Sequence, residues 1–366
     1  LDQTLPLDRS VTFSASATGT EPLSYQWFRD GQPLPGEISS GLVMDAARVD
    51  DLGAYYLVVT NVLGSATTQV ATLSLLAPVP AAVDPGLTIT REDGELTVRW
   101  QVDEGGLEAA PTPAGPWSTV STTGSSFVVT DPESMGFFHV ADLYDRPTQV
   151  FLPSTYDPQT PLPLVVLLHG YTADAEWIEN FMRLEPLAEV RGFLYCKPEG
   201  TREPGGGPRF WNATDACCNG QGVRVDDVAY LSRVIREIIA AYGADPRRIH
   251  LIGHSNGGFM SYRMACEHAD LIASIAPVAG ASWGELEACT PSEPVGILHV
   301  HGTADTAIRY NGGTLNGAQY PGARRSIAAW AEYNGCDDLV ADTEPSMDCD
   351  LFIPGLDTRV TRYQTY

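Results

Sequence analysis

Apolar positions follow two different periods along the chain, and the change between them divides the sequence. Before about residue 145, short runs of alternating apolar and polar residues are separated by turn signals such as RDGQPLPG at residues 29–36. Such alternation predicts half-buried β-strands. Beyond that point, continuous apolar runs alternate with segments of helical spacing, for example DDVAYLSRVIREIIAAYG at residues 226–243. Strands that alternate with helices predict a parallel, doubly wound α/β sheet.

The β-rich part is predicted to hold two modules joined by a stiff linker. We place a β-sandwich at residues 1–77, a linker at 78–85 within the Pro- and Ala-rich stretch LLAPVPAAVDPG, and a small β module at 86–144. The predicted α/β domain follows at 145–366. Four aromatic residues of the small module form either a carbohydrate-binding surface or its core, and the core is the ordinary use of such residues at strand spacing. They are Trp100, Trp117, Phe137 and Phe138.

The first module carries the sequence features of an immunoglobulin-like sandwich. Trp27 follows Ala15 at about the distance that separates the first core cysteine from the core tryptophan in such domains. In DDLGAYYLVVTN at residues 50–61, Tyr55 stands at the position of a tyrosine corner and Leu57 at that of the second cysteine. The segment is similar to an I-set immunoglobulin domain in which apolar packing replaces the disulfide.

A serine stands between glycines where a predicted strand meets a predicted helix, in IHLIGHSNGGFMSYRMA at residues 249–265. Gly253, Ser255 and Gly257 fit the pattern G-x-S-x-G, in which the serine occupies a sharp turn and small neighbours let the chains pass closely. In this strand-to-helix context the pattern predicts a nucleophilic serine. A tight turn without chemistry is the alternative.

Such a nucleophile also needs oxyanion donors, a base, and a carboxylate that orients the base. We expect the backbone N–H groups of Tyr171, after the strand in LLHGY, and of Asn256 to form the oxyanion hole. His169 is expected to brace that loop rather than to titrate. Asp305, just beyond the strand VGILHVHG, is the predicted acid, and an exposed loop aspartate is the alternative.

Ordered motifs from residue 146 onward resemble one family. They are LVVLLHGYTADAEW, PEGT, RFWNATDACC, VDDVAYL, GHSNGGFMSYRMAC, IAPVAG, HGTAD and WAEYNGC. Together they are similar to the secreted polyhydroxybutyrate depolymerase and feruloyl esterase family of α/β-hydrolases. The resemblance implies that Ser255 is the nucleophile and Asp305 the triad acid, with Tyr171 and Asn256 at the oxyanion positions.

Two further residues are the predicted substrate contacts. Trp211 would border the substrate pocket by the same resemblance, with a buried structural role as the alternative, and His254 lies beside the nucleophile. The family's catalytic base lies in a Gly-Gly-His loop near the C-terminus, whereas no histidine follows Asp305 here. We expect that base beyond residue 366. The alternatives are a substitute such as His254 or His268, or an inactive relative that only binds.

Seven cysteines lie between residues 196 and 349, without the paired C-x-x-C spacing of a zinc site. By the family resemblance, Cys266 pairs with Cys289. Cys196 is expected to pair with Cys217 or Cys218, and the sequence does not choose between them. The family also implies that Cys336 lacks its partner, unless Cys349 substitutes. Cysteines without metal-site spacing, in an acidic chain with β modules, indicate disulfides and therefore a secreted protein.

The net charge of the chain limits the kinds of molecule that it can bind. The net charge of −24 argues against nucleic acid and anionic membrane surfaces, because both would repel the chain. No apolar run approaches the length of a membrane span, so no membrane insertion is expected. His299 and His301 form an H-x-H pair, but no third ligand lies nearby in the sequence, and neither a metal nor an organic cofactor is predicted.

These observations predict a secreted serine carboxylic ester hydrolase. The expected substrate is a polymeric ester: a polyester such as poly(3-hydroxybutyrate), with aromatic polyesters as a third option, or a feruloyl ester of a polysaccharide. The β modules either bind a polymer or carbohydrate surface or act as spacers. The alternative is a non-catalytic surface, adhesion or polymer-binding protein with a degenerate hydrolase domain.

Overall fold

The fold is described from a computed structural model of the chain. The described residues are 1–79, 88–92, 95–99, 107–110, 118–121, 126–129, 137–140, 146, 148–223, 225–285, 288–336, 338–341, 345–349 and 356–364. No helix in that part of the chain is long and apolar enough to cross a membrane.

The first eight strands form the predicted immunoglobulin-like sandwich. They are β1 (Gln3–Pro6), β2 (Val11–Ser14), β3 (Ser24–Arg29), β4 (Gln32–Pro33), β5 (Gly41–Met44), β6 (Gly53–Asn61), β7 (Gly64–Thr67) and β8 (Ala71–Pro78). Trp27 and Leu57 lie in the core, 3% and 0% exposed. The Tyr55 hydroxyl donates to the backbone oxygen of Asp51 at 2.5 Å, which confirms the tyrosine corner.

Six short strands follow in the region predicted as the small β module. They are β9 (Thr88–Glu92), β10 (Glu95–Arg99), β11 (Leu107–Ala110), β12 (Ser118–Ser121), β13 (Ser126–Val129) and β14 (Phe137–Val140). They pair into two three-stranded sheets, in the orders β13-β10-β9 and β12-β11-β14. The aromatic side chains named for a carbohydrate surface lie outside the described part of the chain.

The remaining elements alternate between strands and helices. They are β15 (Gln149–Leu152), β16 (Leu162–Leu168), α1 (Ala175–Met182), α2 (Glu185–Arg191), β17 (Leu194–Cys196), β18 (Thr201–Arg202), β19 (Arg209–Phe210), α3 (Asp227–Tyr242), β20 (Ala244–His254), α4 (Asn256–Glu267), β21 (Ser274–Val278), β22 (Gly296–Ile297), β23 (Gly312–Leu315), β24 (Ala318–Pro321), α5 (Ala323–Tyr333), β25 (Asp338–Ala341) and β26 (Thr361–Gln364). α3 begins and ends where its sequence predicts. Asp226 caps its first turn, and Gly243 follows it with φ 64°.

A parallel sheet organises this half of the chain, as predicted. Strands β17, β16, β20, β21 and β22 are neighbours in that order and run parallel. Both faces of the sheet are covered, because successive side chains of β16 enter two different cores. Leu168 belongs to the core that contains residues of α3 and α4, and Leu167 to the core that contains Ile178 of α1. The carboxyl ends of β16 and β20 meet at one edge, where open α/β sheets bind their ligands.

The immunoglobulin-like sheet continues directly into the α/β sheet. β8 pairs with β15 in antiparallel register from Pro78 opposite Gln149 to Leu75 opposite Leu152, and β15 pairs with β17. One twelve-stranded sheet thus contains strands of both regions. Because β8 and β15 are immediate neighbours, the intervening segment leaves and re-enters the sheet at adjacent strands.

The cysteine pairing agrees in part with the prediction. Cys266 and Cys289 form a disulfide, as the family resemblance implies. The predicted partner of Cys196 is wrong, because Cys217 and Cys218 are bonded to each other and Cys196 is free. Its thiol lies in the apolar core at the end of β17, where burial raises its pKa. Within the described ranges, Cys336 and Cys349 also form no disulfide.

Candidate active site

Ser255 occupies the sharp turn between β20 and α4, with φ 52° and ψ −116°. A non-glycine residue seldom adopts a positive φ, and such strain is typical of functional turns. Steric crowding explains why glycine occupies both flanking positions. A Cβ on Gly253 would lie 2.0 Å from the Gly257 oxygen, and one on Gly257 would lie 2.2 Å from the Leu168 oxygen. The turn therefore accepts no side chain at either position.

The two predicted oxyanion donors are free to bind a ligand. Among the described residues, the backbone N–H groups of Tyr171 and Asn256 donate no hydrogen bond. Asn256 is the first residue of α4, whose N-terminal N–H groups have no partner within the helix. The Tyr171 loop lies against the turn, since a Cβ on Gly170 would be 3.5 Å from the Ser255 Cβ.

Trp211 and Asn256 hold each other in place behind this turn. The Trp211 N–H donates to Asn256 Oδ1 at 2.7 Å, and Asn256 Nδ2 donates to the Trp211 oxygen at 2.9 Å. The Trp211 ring N–H also donates to the His169 oxygen at 3.0 Å. Both side chains are fully buried. This burial favours the structural alternative for Trp211 over the predicted substrate contact.

His169 braces the oxyanion loop in its neutral form. Its Nδ1 bonds the Gly170 oxygen at 2.8 Å, and its Nε2 accepts from the Gly200 N–H at 2.9 Å. Because a carbonyl oxygen only accepts, the ring proton is on Nδ1. Burial lowers the pKa of His169 to about 4. The side chain is thus a fixed support of the loop.

The side chain of Tyr171 pairs with Glu203. The residue is 41% exposed, and its hydroxyl donates to Glu203 Oε1 at 2.8 Å. This hydrogen bond to a carboxylate raises the pKa of Tyr171, so the phenol remains protonated. Only the backbone N–H of Tyr171 is therefore a candidate oxyanion donor.

Asp305 lies in the loop after β22, on the same side of the sheet as the serine turn. Its Oδ1 accepts from the N–H groups of Ala307 and Ile308, at 2.8 and 3.0 Å. Its Oδ2 lies 3.6 Å from His301 Nε2. The carboxylate also acts electrostatically on His254. Burial lowers the pKa of His254, and the negative charge of Asp305 opposes part of that shift. Asp305 is thus held by its own loop, with one oxygen left for a further partner.

Three side chains, one buried and two of intermediate exposure, which we call the histidine relay, connect α4 to this loop. They are Tyr262, His299 and His301, in contact at 2.8 Å and 3.0 Å, and His301 Nε2 bonds the Ile308 oxygen at 2.6 Å. The Ile308 carbonyl only accepts, so each ring donates through Nε2 and accepts at Nδ1. Burial lowers the pKa of His299 to about 4. The relay therefore occupies both nitrogens of the H-x-H pair.

No histidine among the described side chains is hydrogen-bonded to the Ser255 hydroxyl. His169, His299 and His301 use both ring nitrogens elsewhere. His250 bonds Ser274, and His268 faces Asp270. The side chain of His139 is outside the described part of the chain.

His254 is the last residue of β20, directly before the turn, and its Nδ1 is buried without a hydrogen-bond partner among the described residues. It is the one histidine adjacent to Ser255 in the sequence. Within the same residues, no cluster of three or more candidate ligands could hold a metal ion.

The sequence reasoning missed two exposed aromatic residues beside this site, Trp177 and Phe181 on α1. Both rings contact the His254 ring, at centroid distances of 6.1 and 5.7 Å. The sequence held no signal that separates them from the core. Trp177, Ile178 and Phe181 fall within one arc of about 100° around the helix, which is the width of an ordinary core-facing apolar stripe.

A profile of the family described as "Esterase PHB depolymerase" matches residues 149–333, and one of the "Immunoglobulin I-set domain" matches residues 2–74. Feruloyl esterase B of Piromyces equi is 30% identical over 215 residues, which are 57% of this chain and 39% of that protein. The bifunctional acetylxylan esterase/xylanase XynS20E of Neocallimastix patriciarum is 32% identical over 165 residues, 45% of this chain and 22% of that protein. The chain thus spans less than half the length of these two relatives.

Among solved structures, the poly(3-hydroxybutyrate) depolymerase LpqC from Bordetella parapertussis is similar to the chain with a TM-score of 0.37 and 21% identity. The similarity covers 51% of this chain and 72% of that one. The family match, by contrast, includes the serine turn and the Asp305 loop described above.

Proposed function

The chain belongs to the Esterase PHB depolymerase family, and from this premise we propose that it is a secreted serine hydrolase of carboxylic esters. The observation that carries the proposal is the Ser255 turn, with its positive φ and two N–H groups beside the serine that pair with no described residue. A serine on a strained turn next to free backbone donors is suited to acyl transfer. A structural turn would need neither feature.

In the proposed reaction, the Ser255 Oγ attacks the ester carbonyl carbon while its proton passes to a general base. The carbonyl oxygen becomes an oxyanion that accepts from the N–H groups of Tyr171 and Asn256. Collapse of this intermediate breaks the bond to the alcohol, which leaves with the proton from the base. Water then attacks the acyl-enzyme in the same way and releases the carboxylic acid.

We assign Asp305 as the carboxylate that orients the base, because its Oδ2 is not used by the loop N–H groups that hold Oδ1. The base itself is proposed to be a histidine other than the seven in this sequence. The reason is that the described ring nitrogens near the site are engaged elsewhere, and the partnerless Nδ1 of His254 is buried.

The proposed substrate is an ester carried on a polymer. Relatives named feruloyl esterase and acetylxylan esterase, together with the family description, support an ester on a polysaccharide or a polyester. We propose that the β modules at residues 1–77 and 86–144 either bind the polymer surface or act as spacers for the catalytic domain at residues 145–366. In this proposal Tyr171 and Asn256 bind the oxyanion, His254 borders the acyl group, and no cofactor takes part.

A fluorophosphonate probe tests the proposed nucleophile in the naturally produced, full-length protein. We expect one adduct, mapped by mass spectrometry to Ser255, and none in Ser255→Ala. Ser255→Ala should lower kcat by at least about 10⁴-fold, because the residues of such a triad act as a unit. Asp305→Asn should lower kcat by about 10²- to 10⁴-fold and retain the fold. Absence of both labelling and ester hydrolysis would overturn the proposal in favour of a binding protein.

A further inference from the structure

An aromatic surface lies beside the proposed nucleophile, and two of its three side chains have no role in the proposed reaction. We call it the aromatic platform, and it consists of Trp177, Phe181 and His254. The Trp177 and Phe181 side chains are 50% and 58% exposed, and their rings stack with centroids 5.6 Å apart and planes 15° from parallel. Large apolar side chains are seldom left exposed side by side without an occupant.

The platform is next to the reacting atoms. α1 begins at its N-cap Asp174, three residues after Tyr171, whose N–H is a proposed oxyanion donor. His254 is the residue before Ser255, and a Cβ on Gly170 would lie 3.2 Å from His254 Nδ1 and 3.5 Å from the Ser255 Cβ. An acyl group bound at Ser255 therefore reaches the platform within a few bonds.

The shape and chemistry of the platform fit one kind of group. Its two exposed rings are stacked and nearly parallel, so a third planar ring can continue the stack on a free ring face in the offset geometry that aromatic pairs prefer. The third member, His254, turns its ring toward both of them and has its Nδ1 buried. A short aliphatic acyl group such as acetyl or 3-hydroxybutyryl would leave most of this area exposed.

We propose that the aromatic platform binds the aromatic ring of the ester's acyl group, as in a hydroxycinnamoyl ester held for attack by Ser255. This inference rests on the proposed hydrolase function and names the substrate class within it. The Ile178 side of α1 packs in the core, so the platform is a rigid surface on a fixed helix. Substitution of its exposed rings should leave the fold intact.

The first test compares esters that differ in one half only, in the naturally produced, full-length protein. Methyl ferulate and methyl 3-hydroxybutyrate share the alcohol, and phenyl acetate carries its ring in the alcohol. We expect Trp177→Ala and Phe181→Ala each to lower kcat/KM for methyl ferulate about tenfold. The other two esters should change less than about twofold. Val190→Ala, another exposed apolar residue, on α2, is the matched control and should change none of them.

Two results would overturn the platform and leave the hydrolase function standing. One is an equal loss for all three esters, and the other is a loss confined to phenyl acetate, which would place the ring on the alcohol side. A second measurement does not depend on turnover. Calorimetry should detect methyl ferulate binding to Ser255→Ala, weakened at least about threefold when Trp177→Ala is added. Equal binding by the two variants would overturn the inference, whereas failure of probe labelling would overturn the function itself.

Discussion

His169 shows how one buried side chain can make the stability of this fold depend on pH. It is neutral in the structure, with Nε2 accepting from the Gly200 N–H, so a second ring proton would displace that bond. Burial lowers its pKa from 6.5 to about 4. Between those values the unfolded chain takes up a proton that the folded chain does not. The stabilisation is therefore complete above pH 6.5 and is lost as the pH falls toward 4.

Replacement of His169 by Gln should flatten this pH dependence. The free energy of unfolding is measured by urea denaturation at pH 7.5 and at pH 4.5. Its loss between these two pH values should be about 2 to 3 kcal/mol larger in the natural protein than in His169→Gln. Glu199→Gln is the matched control, because Glu199 lies 3.8 Å from His169 Nε2 and burial raises its pKa. A raised carboxyl pKa stabilises the fold as the pH falls, so this control should steepen the loss. Equal losses in the natural protein and His169→Gln would contradict the argument.

At the scale of elements, the histidine relay connects α4, the helix after the proposed nucleophile, to the loop of Asp305, the proposed acid. Tyr262→Phe would remove the hydroxyl that His299 Nδ1 accepts from, leaving a buried acceptor unpaired. We expect a loss of about 1 to 3 kcal/mol in the free energy of unfolding. We also expect a lower kcat with little change in KM, because Ile308 both ends the relay and donates to Asp305.

The matched control for the relay is Tyr230→Phe. The Tyr230 hydroxyl is also buried, and it is hydrogen-bonded to Thr148 rather than to the relay. This substitution should lower stability by a similar amount without lowering kcat. The kinetic difference between the two variants distinguishes a positioning role from simple packing. Parallel effects of Tyr262→Phe and Tyr230→Phe on kcat would rule out a special role for the relay.

The elements of the site differ in how far the sequence predicts them. The serine turn is local: Gly253 and Gly257 are required by backbone atoms within one strand-to-helix unit and its neighbour β16, so a five-residue pattern suffices. The relay and the platform depend on which helix packs beside which strand. The partner of Cys196 was predicted wrongly for a related reason, because spacing does not reveal that Cys217 and Cys218 bond each other.

At the scale of the whole molecule, the continuous sheet joins the immunoglobulin-like region to the α/β region. The Pro- and Ala-rich composition after β8 predicted a linker, but composition does not show that β8 pairs with β15, which lies about seventy residues further along. β8 covers what would otherwise be the edge of the α/β sheet, and free edges are prone to pair with other chains. Loss of this contact would therefore expose β15.

Glu189 on α2 holds the two regions together at this junction. Its carboxylate accepts from the Ser74 hydroxyl of β8 at 2.6 Å and from the Ser154 N–H at 2.9 Å, and Ser74 is 2% exposed. Removing the carboxylate leaves the buried Ser74 hydroxyl and the half-buried Ser154 N–H, on the two sides of the junction, without this acceptor. Glu189→Ala should therefore lower the free energy of unfolding by about 1 to 3 kcal/mol.

Hydrogen exchange can locate that loss. In Glu189→Ala, the amides of β8 and β15 should exchange faster together, while those of the β2–β5 sheet keep their rates, because the strands of the junction share hydrogen bonds. Glu237→Ala removes an ion pair with Arg233 along α3 and should cost less than about 1 kcal/mol, with no change at the junction. If β15 kept its protection while β8 lost it, the two regions would unfold independently. Joint loss would mean that the immunoglobulin-like strands stabilise the sheet on which the serine turn is built.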